Sequence, residues 1–408
     1  MNNEQRPVPA QVDVAIVGAG VAGCSIAYQL AKRGKSVAVF DQRGICSGAS
    51  GRNGGITGTG SALHSDAGEA IHALTSENFG MLQDELAREL GDDFSLLVTG
   101  GVDIATTEEQ AEFLKAAVEV QQASEIDVEW LDGPQARDLI PALSEHVYGV
   151  EWKRNSGHLW PFQLVHALAN GARHYNAAFH THTSVQRVLA SNGEATGIET
   201  ERGTVEAGAV VIAANAWTRD LLPDLPDGAI VPSRGQILVT QPVGQILPMP
   251  FSTNYDKEYG RQTHSGQVLC GGFRRLDVDE GLGLFSEDVH PPAVGGIANC
   301  LASIFPKLAG LRVVRTWAGL MGFTADGLPM IGAYGENKGL FVAAGFNGGG
   351  FSYGPATGKA MAQLIANGRS TLDLGPFDPN RFARGGASWD NPFTAGERNN
   401  PKKLSLEA

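Results

Sequence analysis

A glycine-rich turn near the N-terminus constrains the fold of this chain more than any other feature. Residues 14–17 are continuously apolar, as in a parallel strand covered on both faces. Three glycines follow within 18–23, and apolar residues then recur at helical spacing over 24–33. A strand, a glycine turn and a helix in this order predict a dinucleotide-binding unit, because glycine lets a pyrophosphate approach the backbone closely.

The next apolar stretch ends on an acidic residue where a dinucleotide site needs one. Asp41 lies 23 positions after Gly18, close to the usual distance of about 20. A carboxylate there accepts hydrogen bonds from ribose hydroxyls and disfavours the 2′-phosphate of NADP. Regular βα units do not follow. Instead, the polar, glycine-rich loop 47–56 follows, and its small residues suit close contact with a cofactor.

A second strand, glycine loop and helix lie in the C-terminal third. Residues 339–344 predict a buried strand and 345–350 a glycine loop, and a helix is expected to start at about Pro355 and end near Ala366. The N-terminus of such a helix favours negative charge, which suits a ring that becomes electron-rich on reduction. This second unit therefore indicates a flavin rather than a nicotinamide.

Composition and charge narrow the possible partners. Glycine supplies 53 of 408 residues, about 13% against a usual share of roughly 7%. The net charge of −13 offers no cationic surface to nucleic acid. The four cysteines form no CxxC pair, and no apolar run approaches the roughly 18 residues that cross a bilayer. We therefore predict a cytoplasmic protein with no nucleic-acid partner and no membrane span.

Two further motifs suggest other chemistry and are weaker. The run 350–354 matches the GxSxG pattern of α/β-hydrolases, but the last histidine of the chain, His290, precedes Ser352, so the required order of serine, acid and histidine fails. His180 and His182 form an HxH pair without a convergent cysteine or carboxylate signature. No metal site is predicted.

Six motifs spread along the chain occur together in one enzyme family. They are VGAGVAG with Asp41, SGASGRNGG, GHLWP, VVIAANAW, TADGLPMIG and GFNGGGFSYGPATG. In this combination the chain resembles the D-amino-acid oxidase superfamily of FAD enzymes, nearest its glycine oxidase, sarcosine oxidase and γ-glutamylputrescine oxidase branches. The resemblance extends from residue 12 to about residue 367.

The resemblance implies an α/β fold in which a Rossmann-like FAD-binding domain is interleaved with a mixed α+β substrate domain containing an antiparallel sheet. The expected FAD-binding segments are 12–90, 146–230 and 311–380. The expected substrate-domain segments are 91–145 and 231–310, and 381–408 is expected to be a C-terminal tail.

The resemblance also implies which residues hold FAD. The expected FAD-binding residues are Gly18, Ala19, Gly20, Val21, Ala22, Gly23, Asp41, Gln42, Arg43, Ala49, Ser50, Arg52, Asn53, Gly54, Gly55, Val185, Ala213, Asn215, Trp217, Gly345, Phe346, Asn347, Gly348, Gly349 and Gly350. Asn215 stands where such flavoproteins usually carry glycine, and asparagine tolerates the left-handed backbone that the turn requires.

The implied activity is oxidation of the C–N bond of a small amine or amino acid. A hydride passes from the carbon bearing the amine to N5 of the flavin, and the resulting imine is hydrolysed. Oxygen or another acceptor then takes the electrons. The alternative is a flavin-bearing β-type subunit of a hetero-oligomeric amino-acid, sarcosine or proline dehydrogenase, and the oligomeric state is left open.

Two departures from the family concern the flavin link and the substrate. Members with a covalent flavin carry a cysteine in the stretch that matches 317–323, where this chain has none, so we predict non-covalent FAD. Met321 replaces the arginine with which glycine-oxidase-like members bind the substrate carboxylate, and methionine cannot form a bidentate pair. Either another cation binds the carboxylate, with Arg52, Arg234, Arg261, Arg274 and Arg315 available, or the substrate is an amine whose carboxylate lies elsewhere.

Candidate residues for the substrate come from the predicted substrate domain and from the stretch before the flavin strand. Tyr259 is expected to orient the amine and Arg261 to bind an anionic group. The other substrate-facing candidates are Tyr255, His264, Arg274, Trp317 and Met321. Packing of the wall between the domains is an equally good explanation for the residues of the segment 254–264.

Overall fold

The computed structural model describes residues 7–60, 67–253 and 258–385. These residues form two eight-stranded sheets and a two-stranded ribbon. The strands are β1 (Gln11–Val17), β2 (Val37–Phe40), β3 (Ile56–Gly58), β4 (Gly101–Ala105), β5 (Val128–Asp132), β6 (Gly149–Lys153), β7 (Ser156–His158), β8 (Ala178–His180), β9 (Val185–Ser191), β10 (Glu194–Thr200), β11 (Gly203–Ile212), β12 (Ile230–Pro242), β13 (Phe251–Thr253), β14 (Glu258–Gln262), β15 (Gln267–Gly271), β16 (Val313–Thr324), β17 (Met330–Ala333) and β18 (Leu340–Ala344).

The helices lie on and between the sheets. They are α1 (Val21–Lys32), α2 (Gly68–Gly80), α3 (Leu86–Leu90), α4 (Glu108–Ala123), α5 (Gly133–Leu139), α6 (Pro161–His174), α7 (Thr218–Leu221), α8 (Pro291–Ile304), α9 (Gly350–Asn367) and α10 (Arg381–Gly385). One π-helical turn, Met81–Glu85, joins α2 to α3. No helix within the described ranges is long and apolar enough to cross a membrane.

The first sheet is mostly parallel and has the order β17-β18-β11-β1-β2-β8. Val14 in β1 lies opposite Val37 on one side and Ala209 on the other, so β1 occupies the centre. An antiparallel hairpin of β9 and β10 attaches to β11, and β17 is antiparallel to β18. The carboxyl ends of β1, β2, β11 and β18 meet at one edge, where ligands of such sheets bind.

One face of this sheet is covered by α1, α6 and α9, with α1 in contact with both of the others. The approach of α1 to α9 is close because α9 carries glycine on its inner side. A Cβ at Gly358 would lie 2.0 Å from Ser25 Oγ, and one at Gly354 would lie 2.8 Å from a Val21 methyl group. The N-termini of the two helices, and the glycine loop before each, therefore meet at the same edge of the sheet.

The second sheet is antiparallel except where β4 pairs with β13, and its order is β16-β12-β15-β14-β13-β4-β6-β5. Its longest pairing runs from Ile230 opposite Thr324 to Thr240 opposite Val313. With α8 it encloses a separate hydrophobic core. The α/β fold with a parallel sheet and an antiparallel sheet confirms the expected fold class. Strands β6 and β16 belong to this second sheet although they fall within the predicted FAD-binding segments, and the domain boundaries stay a prediction.

Two helix starts differ from expectation. Helix α1 begins at Val21 rather than residue 24, because the last residues of the glycine turn are already helical. Helix α9 begins at Gly350, which places Pro355 inside the helix rather than in its first turn. Proline lacks the N–H that would bond the Phe351 carbonyl. The residue that replaces this helical hydrogen bond cannot be inferred from the sequence.

The Phe351 carbonyl finds its partners on two distant elements. Asn78 Nδ2 donates to it at 2.9 Å and Thr57 Oγ1 at 3.0 Å. Asn78 Oδ1 also accepts from the backbone N–H of Ala356 at 3.3 Å. The fully buried Asn78 side chain thus satisfies two backbone groups of α9 and ties α2 to it.

We predict that Asn78→Ala lowers the free energy of unfolding by about 1–3 kcal/mol, because buried backbone groups of α9 lose their partner. Urea unfolding of the purified protein measures the effect. The control is Asn170→Ala in α6, where the exposed side chain accepts only from Arg173. The control is expected to change stability by less than about 0.5 kcal/mol, and equal effects of the two substitutions would contradict the prediction.

Candidate functional site

A cleft opens at the carboxyl edge of the first sheet, beside the N-termini of α1 and α9. We call it the dinucleotide cleft. Residues from all three predicted FAD-binding segments line it. Those that do so are Gly18, Gly20, Val21, Ala22, Asp41, Gln42, Arg43, Ala49, Ser50, Asn53, Val185, Ala213, Asn215, Trp217, Phe346, Asn347, Gly348 and Gly350.

The three glycines of the first turn are required for different reasons, two for packing and one for access to the backbone. Gly18 has a φ of 108°, and a Cβ there would lie 2.4 Å from the Ala213 carbonyl oxygen. A Cβ at Gly23 would lie 1.9 Å from the Gly18 oxygen, so both positions need glycine for packing. Gly20 has an ordinary φ of −80°, and a Cβ there would lie 3.1 Å from Ser50 Oγ. The fold therefore does not require glycine at position 20. Its lack of a side chain instead keeps the backbone accessible from the dinucleotide cleft.

Asp41 is fixed at the end of β2 by two backbone donors. Its Oδ2 accepts from the Ala19 N–H at 2.9 Å, and its Oδ1 accepts from the Arg43 N–H at 2.8 Å. Each carboxylate oxygen can accept a further hydrogen bond. This arrangement holds an acceptor pair in the cleft and fits the hydroxyls of a ribose.

The N-terminus of α1 fits a diphosphate. The N-cap residue, Gly20, has no side chain that could cap the helix, and the first turn contains no acidic residue. Ser50 Oγ accepts from the Val21 N–H at 2.9 Å, which leaves the hydroxyl proton to donate to an anion. The N–H groups of a first helical turn and the helix dipole attract negative charge at such a position.

The second glycine loop is held by two asparagines in left-handed conformation. Asn347, with a φ of 50°, accepts from the Thr324 N–H at 2.8 Å and donates to the Gly345 carbonyl at 2.7 Å. Asn215, with a φ of 49°, accepts from the Gly345 N–H at 3.2 Å. Asn215 thus adopts the left-handed backbone predicted for this position. The loop leads into α9, whose first turn also lacks acidic residues.

An adjoining cleft meets the dinucleotide cleft at the second glycine loop. Residues shared by the two linings include Asn53, Met321, Asn347 and Gly348. The other predicted residues that line the adjoining cleft are Gly54, Gly55, Tyr259, Arg274 and Gly349. The residues predicted for the flavin and several of those predicted for the substrate are therefore brought together, although they come from different sheets.

Arg274 lies against Met321 inside the adjoining cleft. Its Nη2 lies 3.5 Å from the Met321 sulfur, and its guanidinium lies over the Phe323 ring, 5.2 Å from the centroid. A Cβ at Gly348 would lie 3.9 Å from the same sulfur, so the guanidinium is close to the second glycine loop. Burial lowers the pKa of Arg274, yet an arginine stays protonated at neutral pH.

Tyr259 also lines the adjoining cleft. Its ring packs on the loop 47–56, which we call the flavin-side loop, since a Cβ at Gly54 would lie 3.2 Å from Tyr259 Cε2. Burial raises the pKa of Tyr259 to about 12, so the phenol remains protonated at neutral pH and is a hydrogen-bond donor.

Three predicted substrate residues do not line either cleft. Arg261 is buried, and its guanidinium donates to the carbonyls of Gly54 and Leu159, so it supports the loop behind the site. His264 is exposed in the turn between β14 and β15. Trp317 donates from Nε1 to the Arg52 carbonyl at 3.2 Å. These three residues therefore lie outside the linings of both clefts, and their contact with a substrate stays a prediction.

Other expected residues lie behind the cleft or beyond the described ranges. Ala19, Gly23, Arg52 and Gly345 support the loops without lining either cleft. Tyr255 and residues 386–408 of the expected tail lie outside the described residues.

Sequence reasoning missed several polar residues that line the clefts. Ser47, Thr183, Ser184 and Asp220 line the dinucleotide cleft. Asp103, Lys153 and Ser252 line the adjoining one. Lys153 Nζ lies 2.7 Å from Asp103 Oδ2; burial lowers the pKa of Lys153, but Asp103 and Glu151 together outweigh burial and raise it. Asp103, Lys153 and Ser252 lie on short strands with no recognisable motif.

Substitutions of two glycines in the first turn test whether Gly20 is needed for cofactor binding and Gly23 for packing. We predict that Gly20→Ala leaves thermal stability near that of the wild type but weakens FAD binding at least tenfold, about 1.4 kcal/mol, because the methyl group enters the cleft. Gly23→Ala is expected to destabilise the fold itself because its Cβ overlaps a carbonyl oxygen. Fluorescence titration with FAD and thermal unfolding separate the effects, and unchanged FAD affinity in Gly20→Ala would refute the assignment.

Comparisons with known proteins agree with this geometry. The model of the DAO family, described as FAD dependent oxidoreductase, matches residues 13–364. The chain is 31% identical to glycine oxidase of Geobacillus kaustophilus, over 90% of this chain and 97% of the relative. It is 28% identical to sarcosine oxidase subunit beta of Arthrobacter sp, over 91% of each chain. The crystal structure of L-proline dehydrogenase from P. horikoshii superposes with a TM-score of 0.82 at 29% identity, over 93% of this chain and 99% of that one. The chain therefore belongs to the DAO family of FAD-dependent oxidoreductases.

Proposed function

We propose that this protein oxidises the C–N bond of a small amino acid or amine with FAD as its cofactor. The supporting observation is the junction of the two clefts at Asn347 and Gly348, which line both. A cofactor in the dinucleotide cleft would meet a substrate entering from the adjoining cleft at this junction. The relatives named for glycine, sarcosine and proline act on molecules that carry both an amine and a carboxylate.

Bound FAD would supply the electron acceptor for the substrate C–H bond. Residues of the chain provide orientation and a partly apolar surface. Tyr259, whose phenol stays protonated and can donate a hydrogen bond, lines the adjoining cleft, and Met321 and Phe323 supply apolar surface there. The N-terminus of α9 favours negative charge beside the second glycine loop.

We assign the substrate carboxylate to Arg274. Of the available arginines, Arg234 is buried in an ion pair with Asp277 at 2.5 Å, and Arg261 donates to backbone carbonyls. Arg315 is exposed over the Trp317 ring. Arg52 donates to the Ala318 carbonyl and pairs with Glu287. Among these arginines only Arg274 lines the adjoining cleft, and its planar donor group suits a carboxylate.

We further propose that FAD is bound without a covalent link. The stretch 317–323 contains no cysteine. Cys46 lies near the flavin-side loop, but its thiol is buried and does not line either cleft. Burial raises the pKa of Cys46 to about 12, which leaves almost no thiolate to attack a flavin at neutral pH.

The decisive measurement uses the purified, FAD-loaded protein without oxygen. Glycine, sarcosine, L-proline, D-proline and putrescine are added separately, and the flavin absorption band is followed. We expect at least one amino acid to bleach the band, and we expect acid precipitation to release the flavin into the supernatant. Absence of any flavin band after incubation with FAD would contradict the proposal.

Readmission of oxygen distinguishes the two forms of the activity. Oxygen consumption with peroxide release indicates an oxidase acting alone. The match to a sarcosine oxidase subunit beta supports a second possibility, a flavin-bearing subunit that passes electrons to another acceptor. Turnover with an artificial acceptor but not with oxygen is the result expected for that second form.

Replacement of Arg274 tests its assignment. We predict that Arg274→Met raises KM for the most active amino acid about 100-fold, because a charge-assisted pair with the carboxylate is lost. Oxidation of an amine without a carboxylate is expected to change less than threefold. Arg315→Met serves as the matched control, since Arg315 is exposed, lies over the Trp317 ring and lines neither cleft. Equal losses with both types of substrate would show that Arg274 supports the cleft without binding the carboxylate.

A further inference from the structure

The segment 277–290 connects the second sheet to the dinucleotide cleft. We call it the strap. Its two ends are joined by one buried side chain: Gln236 Nε2 donates to Asp277 Oδ2 at 2.8 Å, and Gln236 Oε1 accepts from the His290 N–H at 2.6 Å. Asp277 also receives two hydrogen bonds from Arg234, at 2.5 and 2.9 Å. The base of the strap is therefore fixed to β12.

The other part of the strap reaches the rim of the dinucleotide cleft. Both carboxylate oxygens of Glu287 accept from Arg43 Nη1 at 3.0 Å, and Glu287 Oε2 lies 2.8 Å from Arg52 Nη1. The Phe285 ring contacts the Trp217 ring with 6.1 Å between centroids. Arg43 and Trp217 line the cleft, so the strap contacts residues that are predicted to hold FAD.

The negative charge of the Glu287 carboxylate lies between two positively charged groups at this rim. The guanidinium groups of Arg43 and Arg52 approach one oxygen atom, so they would repel each other without the negative charge between them. Arg43 comes from the end of β2, whereas Arg52 follows the turn Ala49–Gly51. Glu287 thus joins two cofactor-binding segments of the first sheet to the second sheet.

The rim is also accessible to salt. The side chains of Arg43, Arg52 and Glu287 retain 33%, 30% and 25% of their exposure. Ion pairs with this exposure are weakened by ionic strength because mobile ions screen them. The contact between Phe285 and Trp217 is apolar and is not expected to weaken with salt.

We propose that Glu287 is a positioning residue that retains FAD, because it holds Arg43 in place at the rim of the dinucleotide cleft and ties it to the strap. Opening of this rim for the cofactor to leave would separate Arg43 from Glu287 and Trp217 from Phe285. The inference rests on the FAD-binding family of the chain and is independent of the substrate. Glu287 itself contacts the arginines and acts through them.

The test measures the rate of FAD release from the holoenzyme after dilution, followed by flavin fluorescence. In the wild type, release is expected to accelerate several-fold as sodium chloride rises from 0.05 to 0.5 M (about a threefold fall in Debye length). Glu287→Gln keeps the length of the side chain and removes its charge. This variant is expected to release FAD five- to tenfold faster at low salt and to lose most of the salt dependence.

The matched control is Asp288→Asn, which removes the same charge one residue further along the strap. The Asp288 carboxylate accepts from Ser286 Oγ and makes no ion pair with either arginine. Its FAD release is expected to stay within twofold of the wild type and to keep the salt dependence. Phe285→Ala is expected to accelerate release while salt dependence remains.

Three results would overturn the proposal. One is a release rate of Glu287→Gln within twofold of the wild type. Another is equal acceleration by Asp288→Asn, which points to net charge rather than to the ion pairs. The third needs no variant: FAD release from the wild type that is insensitive to salt excludes a rim held by these exposed pairs. Each result is independent of substrate turnover, so it is separable from a failure of the proposed reaction.

Discussion

The close contact between α1 and α9 is the constraint on which the rest of the site depends. Ser25 Oγ donates to the Pro355 carbonyl at 3.2 Å, and Gly358 leaves space for the Ser25 side chain. Larger residues at these points would separate the helices. Because their N-termini lie side by side, two glycine loops more than 300 residues apart in the chain open into one cleft. A cofactor there meets two helix N-termini without acidic residues in their first turns, both favourable for negative charge.

The same region of α9 contains a proline, and side chains of neighbouring elements replace the hydrogen bond that the proline removes. Pro355 sits on the inner side of α9, where it allows close approach to α1 but removes one helical hydrogen bond. Asn78 and Thr57 replace that bond from α2 and β3. Strand β3 directly follows the loop that carries Gly54 and Gly55, which line the adjoining cleft. The hydrogen bond from Thr57 to α9 therefore also fixes the position of this part of the cleft wall. Fold stability and site geometry share these hydrogen bonds.

Sequence reasoning located the parts of the site that depend on local backbone geometry. The turn at Gly18, the acceptor Asp41 and the left-handed Asn215 follow from short-range rules, and the structure places each at the dinucleotide cleft. The boundaries were less predictable. The start of α9 was placed at Pro355 because proline is common in a first turn, whereas distant side chains permit it inside the helix.

Long-range contacts could not be predicted from sequence. Arg261 has the charge and position expected of a substrate residue, yet its neighbours are carbonyls brought in by Gly54 and Leu159. Glu287 belongs to no motif, and its role depends on the way the strap returns to the first sheet. In both cases residue type indicated a charge, but only the fold determines what that charge meets.

The family resemblance places an arginine at position 321, where this chain has methionine. The guanidinium of Arg274 lies beside that methionine. An arginine at position 321 would bring a second guanidinium near that of Arg274, which lies 3.5 Å from the Met321 sulfur. Two such cations in a buried cleft repel strongly unless an anion lies between them. Methionine at 321 instead offers a polarizable neighbour that tolerates the guanidinium of Arg274. The two residues are therefore best understood as a pair, in which the cation of the adjoining cleft comes from the loop after β15 rather than from β16. Arginine at position 321 alone would place two guanidinium groups side by side, whereas loss of Arg274 alone would remove the arginine that lines this cleft.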